Sequence, residues 1–386
     1  MDTTEAVEFV CALAQKHARR ENVERARTRQ GAVLAWKEPD YLPFLVGGDE
    51  PELAKLPTYD WKEQFDDPAK SFVEQMKGVV SAAAGGADRI LGLRADTGVI
   101  NGPSIFPGVE YQAPAHTKPV VSKPATKEAL QAFKVPDDIS GLGVLPRMIE
   151  HTQHHLGVLK AHGLDRLVDV HHCDTQGPFD IAAQARGHEI FPDIYEDPEF
   201  ISHLLGESTK VYIRLSRLCK RLNGEGNWGN ASGYWMSRGG VRMCEDSSIL
   251  VSRKTYEAVI KPRNEEALAA FGAGWIHYCG SVRGTGRPGG EHLHDTYVKT
   301  KGLRGLNFTT AGDLAAEIRK LVTNKVAYIG GVDREPAETL ETYFNRVLSL
   351  LPKRTGLLLE NPVAKPEELP GGGELWCRVQ DKLFPR

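Results

Sequence analysis

Gly240-Val241-Arg242-Met243-Cys244-Glu245, a helical stretch over 252–271, then Gly274-Trp275-Ile276-His277-Tyr278-Cys279: residues 240–279 spell a strand, a helix and a second strand. Two short β-rich runs joined by an amphipathic helix make a βαβ unit, which requires a parallel sheet. Working outward, the alternation recurs. Strands are predicted at 43–47, 89–95, 167–173, 240–245, 274–279, 302–308, 326–330 and 356–360. Between them, helices are predicted at 68–83, 145–161, 198–222, 252–271, 311–321 and 337–351. Eight strand units predict a closed (β/α)8 TIM barrel in the α/β class. An open doubly wound sheet is the alternative, but no Gly-x-Gly-x-x-Gly follows the first predicted strand. Val7, Phe9, Val10, Leu13 and Ala14 recur at near-helical spacing, and a basic run over 17–29 follows as a solvated helix face. The expected organisation is one barrel domain over 1–386, with 1–35 as an N-terminal helical extension.

Composition bounds the function. The 386 residues are 41% apolar and 26% charged, which excludes a disordered or low-complexity chain. The formal charge of −3, from 48 basic and 51 acidic residues, gives no electrostatic case for nucleic acid. No apolar run reaches the roughly 18 residues that span a bilayer, and the N-terminus carries acid where a signal peptide needs Lys or Arg. The reading is a cytoplasmic protein with no membrane partner. Its six scattered cysteines look like free thiols rather than a disulfide framework.

Many predicted strands end in reactive residues, as the catalytic face of a barrel does. These ends carry Asp96; His171, His172 and Asp174; Asp246; His277 and Cys279; Asp333; and Glu360 with Asn361. His277 and Cys279 stand two apart on a strand and so share a face; an imidazole and a thiolate there suit Zn²⁺. Glu360, Cys173, His171, His172, His292 and His294 compete to be the third ligand. Cys377 lies past the last strand and reads as helix packing. Asp246 and Asp96 have two readings each, substrate or proton handling and helix capping. Arg94 and Arg242 lie within strands, where they balance internal carboxylates or bind an anionic substrate. The irregular stretches 101–122 and 224–240 are read as lids or substrate walls. The glycine-rich 284–290, with Arg283 and Arg287, is an anion cradle or a connector.

At these residues the chain resembles the uroporphyrinogen decarboxylase superfamily, over roughly 36–362. The resemblance rests on an ordered set: Pro39-Asp40-Tyr41-Leu42-Pro43, Gly177-Pro178-Phe179, Glu245-Asp246-Ser247-Ser248 with Ile260-Lys261-Pro262, Ile276-His277-Tyr278-Cys279-Gly280, the 302–307 strand, and Tyr328-Ile329-Gly330-Gly331-Val332-Asp333. The family's decarboxylases carry an Arg-rich segment near the first strand where this chain has Leu34-Ala35-Trp36-Lys37. Gln184 and Asn361 stand where those enzymes have Tyr and His, and Asp96 matches their catalytic Asp. The zinc-dependent methyltransferase branch uses His-x-Cys on the fifth strand, as His277 and Cys279 stand, plus a Cys after the eighth strand, where Glu360 stands here.

The resemblance implies a zinc-dependent methyltransferase or demethylase acting on a small-molecule substrate. His277, Cys279 and Glu360 would hold metal. Asp96, His172 and Asp246 would be catalytic, and Arg94, His171, Gln184, Arg242 and Asn361 would bind substrate. No corrinoid-binding Asp-x-His-x-x-Gly occurs in the chain, so the corrinoid would be carried by a separate protein, and a homodimer is expected. The alternatives are a metal-free decarboxylase centred on Asp96, and a non-catalytic ligand-binding barrel.

Overall fold

The computed structural model describes residues 1–279, 289–310, 312–363 and 366–385. The glycine-rich stretch with Arg283 and Arg287 and the family-like Gly280 lie outside these residues, apart from Gly289 and Gly290. The predicted strands shorten to seven parallel segments: β1 (Gly92–Leu93), β2 (Asp169–Val170), β3 (Arg242–Cys244), β4 (Gly274–Tyr278), β5 (Leu303–Phe308), β6 (Ala327–Gly330) and β7 (Leu357–Leu359). The last five form one parallel sheet in the order β7-β6-β5-β4-β3, and β1 pairs with β2. The molecule is thus an α/β protein built on parallel strands. Isolated parallel bridges join Gln176, just beyond β2, to Cys244, and Leu45 to Glu360. The Asp88 N–H donates to the Phe44 carbonyl at 2.9 Å, linking the segment before β1 to Leu45's neighbour.

The predicted strand at 43–47 is reduced to that single bridge. Pro43 has no N–H to give. The Leu42 N–H goes to Gln380 Oε1 at 2.7 Å and the Phe44 N–H to Asp88 Oδ2 at 3.0 Å. Donors spent on side chains cannot build a ladder.

Helices cover the sheet, and their starts are legible in the sequence. Asp67, Asp197, Asp313 and Thr339 cap the helices Pro68–Ala84, Pro198–Leu222, Leu314–Thr323 and Leu340–Leu348 through their side chains. Each side-chain oxygen takes a backbone N–H that the first helical turn leaves unpaired. The predicted 252–271 helix is interrupted: Arg253–Thr255 and Lys261–Ala269 are α, and Tyr256–Ile260 between them is a π turn. Pro262 cannot donate to the carbonyl four residues back, and the chain widens by a residue where that bond is missing. The N-terminal segment is two helices, Thr3–His17 and Arg20–Leu34, parted by extended backbone at Ala18 and Arg19.

Strand β7 reads Leu357-Leu358-Leu359, all buried, as a parallel strand covered on both faces should be. Leu358 is 0% exposed. Truncation to Leu358→Ala is expected to destabilise the protein by about 2–5 kcal/mol, read by urea denaturation; a loss under 1 kcal/mol would mean the site collapses around the missing methyls.

Candidate functional site

Register brings the site together. In the β3–β4 pair, Arg242 faces Trp275 and Cys244 faces His277; in β4–β5, His277 faces Asn307. Directly paired residues on neighbouring strands point to one side, so Cys244 and His277 are side by side. Asp246, two residues beyond Cys244, completes the group. Ligand atoms of Cys244, Asp246 and His277 all lie within 4.8 Å of one another, and among the described residues no other three His, Cys, Asp or Glu side chains bring their ligand atoms together so closely. The Cys244 thiol donates to Asp246 Oδ2 at 3.1 Å, and the Cys279 N–H donates to Asp246 Oδ1 at 2.6 Å. Burial, with Asp180 and Asp246 nearby, pushes the Cys244 thiol well above its ordinary range. Burial and the Asp246 charge push that of Cys279 up to about 12.

His277 has a defined tautomer. Asn307 Nδ2 donates to the Ile329 carbonyl at 2.6 Å, which turns its Oδ1 toward the imidazole. His277 Nδ1 therefore carries the proton and donates to Asn307 Oδ1. Nε2 is left with a lone pair. Burial and the Arg242 charge lower the His277 pKa, keeping the ring neutral. A neutral imidazole steadied through its other nitrogen is the form that binds a metal.

Behind Asp246, the Asp180 carboxylate accepts from the N–H groups of Asp246 and Ser247 at 2.8 and 2.7 Å. Burial and the Asp246 charge raise Asp180 to about 7. Glu245, fully buried next to it, has neither carboxylate oxygen hydrogen-bonded, and burial raises its pKa well above the carboxylate range.

Beside this group lies a chain of largely buried charges. Arg242 donates to Asp174 at 2.7 Å, and Arg94 reaches both Asp174 at 3.4 Å and Asp96 at 3.3 Å. Lys118, from the predicted lid stretch 101–122, reaches Asp96 at 2.7 Å. Burial works to raise both carboxyls, but the surrounding cations outweigh it and hold Asp96 and Asp174 below the ordinary range. Gln176 donates to Asp174 at 2.9 Å, and Gln184 donates in turn to Gln176 at 3.5 Å.

Other predicted residues stand apart from the Cys244 group. Glu360 accepts from the Tyr234 hydroxyl and lines a pocket with Arg89, Gly92 and Gln30. Tyr234 belongs to an antiparallel hairpin, Gly229–Ala231 with Tyr234–Met236. That hairpin, the core of the predicted wall 224–240, docks on the N-terminal helices through Gln30 Oε1 and on the start of β4 through the Trp275 indole. Asn361, at φ +45°, accepts from Arg89 at 2.5 Å. His171 and His172 are buried, their Nδ1 atoms against the carbonyls of the next residue at 3.1 Å. Among the rival ligands, His294 is held between Tyr278 and Glu317, His292 bonds the Val251 carbonyl at 2.9 Å, and Cys173 meets the Cys219 sulfur at 3.7 Å.

The chain's fold is similar to that of a methyltransferase from Methanosarcina mazei. The two align with a TM-score of 0.62 over 93% of this chain and 98% of that one, at 13% identity. At that identity the likeness concerns fold. No protein-family model matches the sequence, and no curated protein matches it. Among the described residues no helix is long and apolar enough to cross a membrane.

Sequence reasoning missed Cys244, Asn307, Asp180 and Lys118. Cys244 and Asn307 are cross-strand neighbours of His277, visible only once register is known. Lys118 sits in a stretch already singled out as irregular, with no local pattern marking it.

The buried histidines give a pH prediction. Burial foremost lowers His171 to about 3 and His172 to about 4. The unfolded imidazoles take protons near pH 6.5, and the folded ones do not until far lower. Stability is therefore whole above pH 6.5 and falls as pH drops toward 4, by up to about 1.4 kcal/mol per pH unit for each ring. Denaturation at stepped pH measures this, and the His172→Gln variant should show a shallower slope.

Proposed function

We propose that the chain is a zinc-dependent methyl-transferring enzyme on a (β/α)8 barrel, with the metal held by Cys244, Asp246 and His277. The carrying observation is the convergence of one thiol, one carboxylate and one tautomer-fixed imidazole within 4.8 Å, at the ends of two paired parallel strands. The donor set fits zinc, which accepts S, N and O ligands and in catalytic sites keeps a position open. The residues differ from the His277, Cys279 and Glu360 set expected from the sequence: Cys279 stands against Asp246 at the rim, and Glu360 is engaged by Tyr234. The fold likeness to a methyltransferase supports the reading.

A zinc ion supplies Lewis acidity, lowering the pKa of a thiol or hydroxyl brought to it. The protein's own groups do the rest. Asn307 aims His277 Nε2. Asp180, through the Asp246 and Ser247 N–H groups, fixes the turn that carries Asp246. Arg94, Asp174, Arg242 and Asp96 form a stiff polar wall beside the group, with Lys118 closing it from the loop. Asp96 and His172 remain the proposed proton-handling groups, and Gln184 reaches the wall through Gln176. The single-domain organisation, the cytoplasmic setting, the separate corrinoid protein as methyl carrier and the homodimer are parts of this proposal.

A decarboxylase acting on a polycarboxylate needs free cations to receive its carboxylates. Here Arg94 and Arg242 are already committed to Asp96 and Asp174, which disfavours it. The test is zinc content of the purified protein beside Cys244→Ala and His277→Ala, with methylcobalamin and a thiol such as coenzyme M as probe substrates. One zinc per chain more in the wild type than in either variant, its loss accompanied by loss of methylcobalamin consumption, is expected. Equal zinc content in the wild type and both variants overturns the proposal.

A further inference from the structure

Far along the sequence from that site, the helix Leu145–Ala161 carries His151, His154 and His155 on the side facing the helix Pro68–Ala84. His151 and His155 are 2% and 0% exposed. Four of the six ring nitrogens, Nδ1 of each ring and Nε2 of His155, are buried and make no hydrogen bond within the described chain. The Arg94 backbone lies near His155, yet no bond of ordinary length and angle forms. Buried polar atoms in native proteins are almost always partnered, so a set of four on adjacent turns asks for a ligand. A bridging water can satisfy two of these nitrogens, which leaves the others unpaired. A cluster of imidazoles with lone pairs to give has another natural partner.

We propose that His151, His154 and His155 form a second, separate binding site for a borderline transition-metal ion of the zinc class. Residues four apart on a helix share a face, so His151 and His155 can grip one ion from successive turns. The ring centroids of His151 and His155 are 6.2 Å apart, and those of His154 and His155 are 5.9 Å apart. Two imidazoles bound to one ion at about 2.0–2.1 Å per bond stand with centroids roughly 5–6 Å apart. The spacing is therefore close to that of a chelate. The ligand atoms are not yet as tightly gathered as those of Cys244, Asp246 and His277. Metal binding there requires the His154 or His151 ring to turn about its broad terminal torsion. Phe72 supplies an apolar floor, its ring 5.5 Å from His155 and 6.3 Å from His154. Asp67, the N-cap of the facing helix, adds a negative charge felt by His151 and His154. His154 is only partly buried and opens the site to solvent. An all-nitrogen set selects zinc, copper or nickel over calcium or magnesium.

The test uses the full chain with Cys244→Ser and His277→Ala together, which disables the first site, and zinc alone at low micromolar concentration. Equilibrium dialysis should find one zinc per chain, and a zinc-dependent rise in melting temperature should accompany it. Adding His155→Phe, close in shape and facing Phe72, should remove both. His151→Gln serves where His155→Phe does not fold. In the double-variant protein, ring ¹⁵N resonances of the three histidines should move on zinc addition, a readout independent of further mutation. No zinc bound by the double variant, or uptake unchanged by His155→Phe and His151→Gln, overturns the proposal; the second result marks adventitious surface binding. Since the first site is absent from this protein, failure here leaves the methyl-transfer proposal untouched, and the reverse holds.

Discussion

Asp174→Leu should unfold about 3–5 kcal/mol more easily than the wild type. Asp174 accepts from Arg242 at 2.7 Å and Gln176 at 2.9 Å and faces Arg94 at 3.4 Å. The side chains of Asp174, Arg94 and Arg242 are 13%, 14% and 12% exposed. Removing one carboxylate strands two guanidinium groups in a place that water scarcely reaches. Arg94 retains Asp96, so Arg242 bears most of the loss. Asp174→Asn keeps the volume and one acceptor and should lose less, about 1–3 kcal/mol. The sign of the pH dependence follows from the cations that hold the Asp174 carboxyl below its ordinary range. The gap between wild type and Asp174→Asn is whole at neutral pH and narrows once pH falls below about 4, where the unfolded carboxyl protonates. Urea denaturation at neutral and acid pH reads both. An Asp174→Leu protein as stable as the wild type would mean that the guanidinium groups find water, and the polar wall would then be a wet surface open to anionic substrates.

The alternation of strand and helix was readable because each element carries its own local signal. Leu145–Ala161 and Pro198–Leu222 fall where the apolar periodicity places them. The helix predicted over 252–271 runs through Pro262, and the chain instead answers that proline with a π turn. The first strand fails as a prediction because its donors are taken by Gln380 and Asp88, 338 and 44 residues away in sequence. The site divides in the same way. His277 and Asp246 were visible as polar residues ending apolar strands. Glu360 was visible for the same reason, yet Tyr234 of a distant hairpin claims it. Cys244 reads locally as one more buried strand residue. Its place beside His277 depends on the offset between two strands 30 residues apart, and a slip of one residue would have turned it away.

Asn307→Leu should weaken zinc binding at Cys244, Asp246 and His277 by about 10–100-fold while leaving the ligands in place. Leucine has similar volume but no acceptor, so the His277 Nδ1 proton loses its partner. The ring then rotates more freely, and the tautomer that exposes the Nε2 lone pair loses its advantage. Asn307→Asp keeps an acceptor facing Nδ1 and should retain binding close to wild type, even though it loses the Nδ2 donation to the Ile329 carbonyl. Competition against a chromophoric zinc chelator measures the affinities. Ring ¹⁵N shifts of metal-free protein report the tautomer directly: protonated Nδ1 in the wild type, a mixture in Asn307→Leu. A merely structural role for Asn307 would lower the melting temperature of both variants alike and leave the tautomer unchanged. Equal zinc affinity in wild type and Asn307→Leu, with folding intact, would remove His277 from the metal and with it the basis for placing the chemistry at the ends of β3 and β4. The reverse result, loss in Leu and recovery in Asp, ties a residue on β5 to the reactivity of one on β4 through a single proton.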